Sequence, residues 1–470
     1  MYSVKRLFAV CLALLMLLMA SASAEIPFLV HSQGWQMENT PVEVVLKAAV
    51  EAHQPFDKDR VAMLIPVTDL LSLRLVTGED EGSVAISIAD EEALALQYRG
   101  NEVQLSCMPG ITYAAQSDPM AALLGGEAAS ISGYEALKLS PAGESLLQDG
   151  KVLLAQIPAA FEANGKRSKV ETNISGYGKS TYRIDYTIAA GKVAAMKETL
   201  LSICPDGWLK NIIGSLTFKD KQTLRVYYTA QDEIVRIEYN GSCGPEGNLR
   251  TVKLVGRFRS DATIEKDYLE LTSPAKKGKD KNNLTFERTV ETNKKGARVV
   301  SGSYKYNVTR DGINSSWSGK FNLMNAFAEG KDVITGDATF ETKLNGASRA
   351  DAITLTPALI ISGTQDEPVV EGEINIVQKA GTKVAEQAKI TLTLKRAEPL
   401  MWTANDHVID LSTMDEASLA AIRQKAAGAM ATSLVRPLIN VLGKEAEWFF
   451  RDIPAEAVQS IIDAAASADN

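Results

Sequence analysis

Gly302-Ser303-Tyr304-Lys305-Tyr306, Gly319-Lys320-Phe321-Asn322-Leu323 and Gly336-Asp337-Ala338-Thr339-Phe340 begin 17 residues apart, and Gly372-Glu373-Ile374-Asn375-Ile376 restates the pattern. Each gives a glycine, a polar residue and then alternating apolar and polar positions, which is the period of a strand with one covered and one wet face. The interval is about one strand plus its turn, so the simplest architecture is a regular antiparallel meander. Duplication of a sheet unit and a β-solenoid are the alternatives. A parallel sheet covered on both faces would read as more continuously apolar.

Working outward, the same alternation occurs in Leu224–Tyr228 and Ile234–Tyr239, with the turn Gln231-Asp232-Glu233 between them, as in a hairpin. Thr251–Phe258, Tyr268–Leu271, Leu284–Val290 and Val299–Val308 continue it, and Lys276–Lys281 reads as an exposed loop. Tyr182–Ile188 is expected to be a strand and Val193–Ile203 a helix. Upstream, Leu70–Val76, Val84–Ala89, Ala93–Tyr98 and Glu102–Cys107 read as short strands of a second meander. Thr40-Pro41-Val42-Glu43 has the order of a helix start, a capping hydroxyl followed by proline and a carboxylate, and predicts a helix through Ala52. A further helix is expected from Ser140-Pro141, with Leu146, Leu147, Leu153, Leu154, Ile157 and Phe161 over the sheet and Gly150 as a weak point.

The expected fold class is mainly β, a β-rich α+β protein. Its long antiparallel meander of ten or so strands is curved or two-layered, with covering helices and a helical C-terminal segment. The polar stretch Asn164–Lys169 divides it into an N-terminal α+β region over 25–167 and an extended β region over 168–400, followed by a helical region over 401–470. In that last region Thr413-Met414-Asp415-Glu416 carries a capping-box signature, and Leu419, Ile422, Ala426 and Met430 recur at helical spacing. Pro437 is expected to kink or interrupt the helix and Gly443 to end it. Ile453-Pro454 starts a last short helix, with Ala455, Val458 and Ile462 on one side. Trp448, Phe449 and Phe450 pack this region onto the sheet or serve a partner or membrane contact.

Residues 1–24 have the pattern of a cleaved secretory signal: Lys5 and Arg6, an apolar run Leu7–Ala20 and the exit Ala22-Ser23-Ala24. The run is shorter than the ~20 residues that span a bilayer, and Cys11 lies too near its start for a lipoprotein site. The expectation is an exported chain beginning near Glu25, periplasmic, surface-associated or extracellular, with no transmembrane segment. Without Lys5 and Arg6 the chain carries 48 basic against 58 acidic residues, a net charge of −10 that disfavours nucleic acid as a partner. Export makes a bridge between Cys204 and Cys243 possible, while the alternative has Cys107, Cys204 and Cys243 as small buried hydrophobes.

Chemical motifs fail on inspection. Gly176-Tyr177-Gly178-Lys179-Ser180 ends like a phosphate loop, but Asn173 stands where that loop needs its first glycine, and a strand follows where a helix is needed. His31, His53 and His407 are scattered, and His407 beside Asp406 reads as a surface pair. Glu371 and Glu373 share a strand face, but a carboxylate pair on a solvated face is not a glycosidase site. No catalytic, cofactor-binding or metal-binding residue is named, and no cofactor is expected.

The leading reading is an exported, non-catalytic binding or structural protein of the cell envelope or exterior, with its partner unknown. A second is a carrier of a lipid or other apolar ligand. Over Leu70–Cys107 and Tyr182–Arg396 the expected curved, helix-capped sheet resembles the general architecture of periplasmic lipoprotein carriers, an architectural likeness that implies a concave apolar face able to hold acyl chains. A third is an exported glycan or peptide hydrolase.

Overall fold

The computed structural model describes residues 29–31, 41–53, 67–77, 81–116, 122–123, 142–206, 208–244, 249–273, 281–310, 312–344, 346–347, 350–398, 400–402, 404–405 and 407–442. The alternating segments become strands β1 (Val42–His53), β2 (Val67–Thr77), β3 (Glu81–Ile88), β4 (Glu91–Arg99), β5 (Glu102–Leu105) and β6 (Ile111–Ala114). The long meander supplies β7 (Gly165–Ile174), β8 (Gly178–Ile188), β9 (Thr217–Tyr228), β10 (Ile234–Gly244), β11 (Arg250–Ser260), β12 (Ile264–Ser273) and β13 (Lys281–Thr292). It continues through β14 (Arg298–Arg310), β15 (Ile313–Ala328), β16 (Lys331–Lys343), β17 (Asp351–Gly363), β18 (Pro368–Ala380) and β19 (Lys383–Arg396), and β20 (His407–Asp410) comes last. Four α-helices are described: α1 (Ala142–Ala160), α2 (Val193–Ile203), α3 (Trp208–Ser215) and α4 (Glu416–Leu442).

All twenty strands belong to one sheet. From β7 to β19 each strand pairs antiparallel with the next. β19 then pairs with β1, which passes the sheet on through β2, β3, β4, β5 and β6. β20 adds to β6 in parallel. Among the described residues the sheet is open, with β7 and β20 as its edges, and it does not close into a barrel.

Most of its core lies on one face, in three stretches. Helices α1 and α2 cover β8 to β11, where Leu154, Ile157, Met196 and Leu200 meet Tyr186, Val226, Tyr228 and Ile237. At the other end Leu419, Ile422, Ala426 and Met430 of α4 pack with Leu96, Val103, Leu105 and Tyr113 of β4 to β6. Between them the strands β15 to β19 and β1 bury Leu323, Ile334, Ala338, Leu355, Leu359 and Ile376 against one another. Three of the glycine-led repeats therefore place Phe321, Leu323, Ala338, Ile374 and Ile376 on one covered face, as their phase predicts. A smaller cluster of Ile174, Tyr177, Tyr227 and Val235 forms near the β7 edge.

The glycines of the repeat have a packing reason. Gly302 pairs with Phe321 and Gly319 with Tyr304, and a Cβ at either glycine would run into the ring opposite. The aromatic lies over the bare backbone of its neighbour, which pins the register of the two strands. Gly336 (φ +136°) and Gly372 (φ +147°) take backbone conformations that L side chains rarely adopt and sit against neighbouring main chain.

Several expectations are corrected. Residues 42–52 form β1 rather than a helix: Val42, Val44 and Val45 are β-branched, and two neighbouring strands, β2 and β19, take up its backbone groups. The polar stretch Asn164–Lys169 is mostly edge strand β7, whose exposed lysines and arginine suit an edge that must resist further pairing. Gly150 does not split α1. Asp415, not Thr413, caps α4, its side chain accepting from Ser418 N at 2.7 Å, while Leu411–Thr413 form a separate 3-10 turn. Pro437 lies inside α4, which runs on to Leu442. Cys204 and Cys243 are both buried and are not bridged to each other, and burial pushes the Cys243 thiol upward. The signal-like segment, His53's side chain, the Lys276–Asp280 part of the expected loop and the aromatic trio Trp448, Phe449, Phe450 with the helix beyond lie outside the described residues.

Candidate functional site

The register lines up apolar side chains across many strands. Tyr186 pairs with Leu224, Leu224 with Tyr239, Tyr239 with Leu254, Leu254 with Leu271, Leu271 with Leu284, Leu284 with Tyr306 and Tyr306 with Trp317. A parallel row runs from Leu269 through Phe286, Tyr304, Gly319 and Phe340 to Ile353. On the far side Ile361, Val370, Leu394, Val44, Leu75, Val84 and Leu96 form the same kind of chain. Because side chains alternate between faces, these rows make one apolar face continuous from β8 to β4.

Cover over that face is unequal. Under α1 and α2 and within β15 to β19 it is buried, but in β12 to β16 Leu269, Leu284, Phe286, Tyr304, Tyr306, Trp317 and Phe340 are half-buried and Leu271 is 37% exposed. The aromatics are ordered against each other: Tyr306 stacks on Trp317 at 5.5 Å between ring centres, and Tyr304 tilts against Phe340 at 6.3 Å. A contiguous half-open patch of this composition is the kind of surface that takes an apolar partner.

Charge enters this face at one place. Glu265 and Asp267 of β12 are in phase with Leu269 and Leu271, and they are 2% and 1% exposed. Arg288 of β13 faces Asp267 across the strands, donating from Nε at 3.0 Å and from Nη2 at 2.7 Å, and Nη2 also donates to Glu265. Lys151 of α1 donates to Glu265 Oε1 at 2.7 Å and lies 3.7 Å from Asp267 Oδ1. Two cations and two carboxylates thus hold α1 onto the sheet beside the aromatic rows. The sequence reading missed this cluster. The signal that finds it is Glu265 and Asp267 occupying the strand positions that continue as leucine at 269 and 271, so that carboxylates fall on an apolar face.

The face opposite carries a polar, cross-linked stretch: Arg183 pairs with Asp185 at 2.7 Å, Arg225 bridges Asp185 and Glu238, and Arg236 reaches Glu238 at 2.6 Å. Glu371 and Glu373 stand on this outer side, paired across to Thr393 and Thr391. Gly176–Ser180 spans the β7–β8 turn, with Lys179 paired to Glu171 at 3.0 Å and the Ser180 hydroxyl donating to Thr172 O. His31 Nε2 lies 2.6 Å from Gly363 O, and His407 lies in β20, so the described histidine side chains do not converge. Among the described residues no group of three or more His, Cys, Asp or Glu is arranged to hold a metal ion, and no helix is long and apolar enough to cross a membrane.

No family model and no curated protein matches the chain. Among solved structures it is similar to OmpT, an outer-membrane protein of Vibrio cholerae, at 10% identity over 76% of this chain and 96% of that one, with a TM-score of 0.27. It is also similar to the outer membrane channel DcaP of Acinetobacter baumannii, at 6% identity over 76% and 96%, with a TM-score of 0.28. Superpositions this loose carry no argument about fold or function.

Proposed function

We propose that this is an exported, non-catalytic protein of the envelope or exterior that binds an apolar ligand along the inner face of its open sheet. The observation that carries the reading is the continuity of the apolar rows from strand to strand, together with their half-open aromatic stretch in β12 to β16. Export rests on the signal-like residues 1–24. A face of this kind does its work by shape and desolvation: an acyl chain laid across Phe286, Tyr304 and Trp317 removes apolar surface on both partners from water, at about 25 cal/mol per Å². The test uses the chain from Glu25 onward, purified without detergent, with native mass spectrometry for co-purified lipid and N-phenylnaphthylamine fluorescence for binding. Saturable fluorophore binding that lauroyl compounds displace is expected. A protein that carries no lipid and neither binds the dye nor responds to any lauroyl compound rules the reading out.

A further inference from the structure

We infer that the protein docks on an anionic phospholipid bilayer through the end of the sheet where β12 turns into β13, β14 into β15, β16 into β17 and β18 into β19. The inference goes beyond the apolar-ligand reading above and does not require that a ligand be carried. Exposed aliphatic surface gathers at this end: Ile313, the first residue of β15, is 53% exposed, and Leu344, just past β16, is 40% exposed. Gly346 N donates to Asn314 O at 2.8 Å, which ties the chain after Leu344 to the start of β15 and brings the two tips together. Strand alternation sets Ile313 in phase with Trp317, and Leu344 follows Phe340 at the same phase. The half-open row Leu271, Leu284, Tyr306 and Trp317 leads to them, so the apolar face runs out to the end of the sheet. Tryptophan and tyrosine are the side chains that settle at the boundary between head groups and acyl chains.

Charge selects the kind of bilayer. Lys281, Lys343, Lys379 and Lys383 stand at this end against Asp351 and Glu386, and no ion pair with a described residue neutralises these lysines. The turns at the opposite end carry Asp232, Glu233, Glu329, Asp366 and Glu367 against Lys294, Lys295 and Lys331. The acid excess of the whole chain is therefore unevenly spread: one end of the sheet attracts an anionic surface and the other is repelled by it. Lys343 pairs with Ser316, on the face opposite Trp317, so the basic and apolar groups lie on two sides of one edge. With the apolar side tilted into the bilayer, the long lysine stems keep their ammonium groups at the level of the phosphates. A free acidic polymer would use the lysines and leave Ile313 and Leu344 wet, whereas an anionic bilayer takes up both.

The experiment floats the chain that begins at Glu25 with vesicles of phosphatidylcholine alone and of an equal mixture with phosphatidylglycerol, at low and at high salt. Binding to the mixed vesicles only, released by salt, is expected. Lys379→Glu with Lys383→Glu should weaken it at least about twenty-fold, since each lysine near an anionic surface is worth roughly five-fold. Ile313→Ser with Leu344→Ser, checked for a native circular dichroism spectrum, should weaken it about ten-fold by removing the inserted aliphatic surface. Phe327→Ser, which removes an equally exposed apolar residue near the acidic end, should change nothing. Binding to neither vesicle overturns the inference, and saturable dye binding by the same protein then leaves the apolar-ligand reading standing. Equal binding to both vesicles, indifferent to salt, overturns it in favour of lipid uptake by the aromatic face alone. Unchanged binding after Ile313→Ser with Leu344→Ser overturns it in favour of an anionic polymer read by charge. A loss confined to Phe327→Ser overturns it by placing the contact at the other end. Flotation of the unaltered chain keeps the inference testable if a variant does not fold.

Discussion

Two regions of the sheet are built from the same alternating sequence and end in different states. In β8 to β11 the apolar face meets Leu154, Ile157, Met196 and Leu200 of two helices. Further along the meander, the aromatics Phe286, Tyr304, Tyr306 and Trp317 hold the same register positions with no helix among their described contacts, and they remain half-buried. Alternation makes a face apolar; what it does depends on the layer above it. Where helices cover it, or where the strands β15 to β19 and β1 bury it against one another, the face becomes core, and where neither happens it becomes available surface.

The sharpest way to break this contrast is to remove a cover. A chain ending at Ser412 loses Leu419, Ile422, Ala426 and Met430, which pack with Leu96, Leu105 and Tyr113, as well as the Arg423 bond to Ala122 O at 2.8 Å. With roughly 1.5–3 kcal/mol for each large side chain buried, the β4 to β6 end should lose its structure and the protein should aggregate. Size-exclusion chromatography and a melting curve check this. A monomer that keeps the full-length melting temperature would show that α4 is not a required layer.

The second comparison sets a covered position against a half-open one. Leu355, 0% exposed at the centre of β17, should cost about 2–5 kcal/mol on replacement by alanine. Trp317→Ala removes a stacked partner of Tyr306 from a surface that stays wet, and should cost no more than about 1.5 kcal/mol beyond its small burial while weakening ligand binding clearly. Urea unfolding of both variants beside dye binding separates the two. If Trp317→Ala is as destabilising as Leu355→Ala, the middle of the sheet is core and not a binding face.

How far the sequence alone reaches follows the same division. Period-2 alternation exposes most strands of the long meander, though not β7 or β19, and the repeat at Gly302, Gly319 and Gly336 locates its most regular part. β17 is not legible, because Pro357 interrupts a strand pattern. In the fold it stands where the β16 to β17 pairing lapses between Thr335–Ala358 and Ala338–Leu355, so its missing N–H costs no ladder bond there. β1 is hidden by a local helix-start signal that two flanking strands override. The buried ion-pair cluster shows in linear order only as Glu265 and Asp267 on an otherwise apolar strand face, since Lys151 and Arg288 join them from a helix and a second strand.

The smallest expected effect concerns how tightly the helix-covered end is closed, and pH reads it. Burial raises the Tyr182 phenol to about 12, helped by its donation to Asp232 Oδ1 at 2.6 Å, and the neighbouring Tyr228, stacked on Tyr182 at 4.9 Å, is pushed up further by the same burial. Tyr177, in the turn that precedes β8, is raised to about 12 by burial and by the charge of Glu287. A tyrosine whose folded pKa lies above its unfolded value near 10 favours the folded state while it keeps its proton. The contribution is therefore complete below about pH 10 and is lost as pH rises toward 12. Absorbance at 295 nm followed beside far-UV circular dichroism should show late tyrosinate formation that coincides with loss of the sheet signal. Tyr182→Phe removes the bond to Asp232 and one of the raised groups, so its alkaline transition should be shallower. If Tyr182 and Tyr228 instead ionise near pH 10 with the sheet signal unchanged, water already reaches the face beneath α1 and α2, and the two regions of the sheet differ less than their packing indicates.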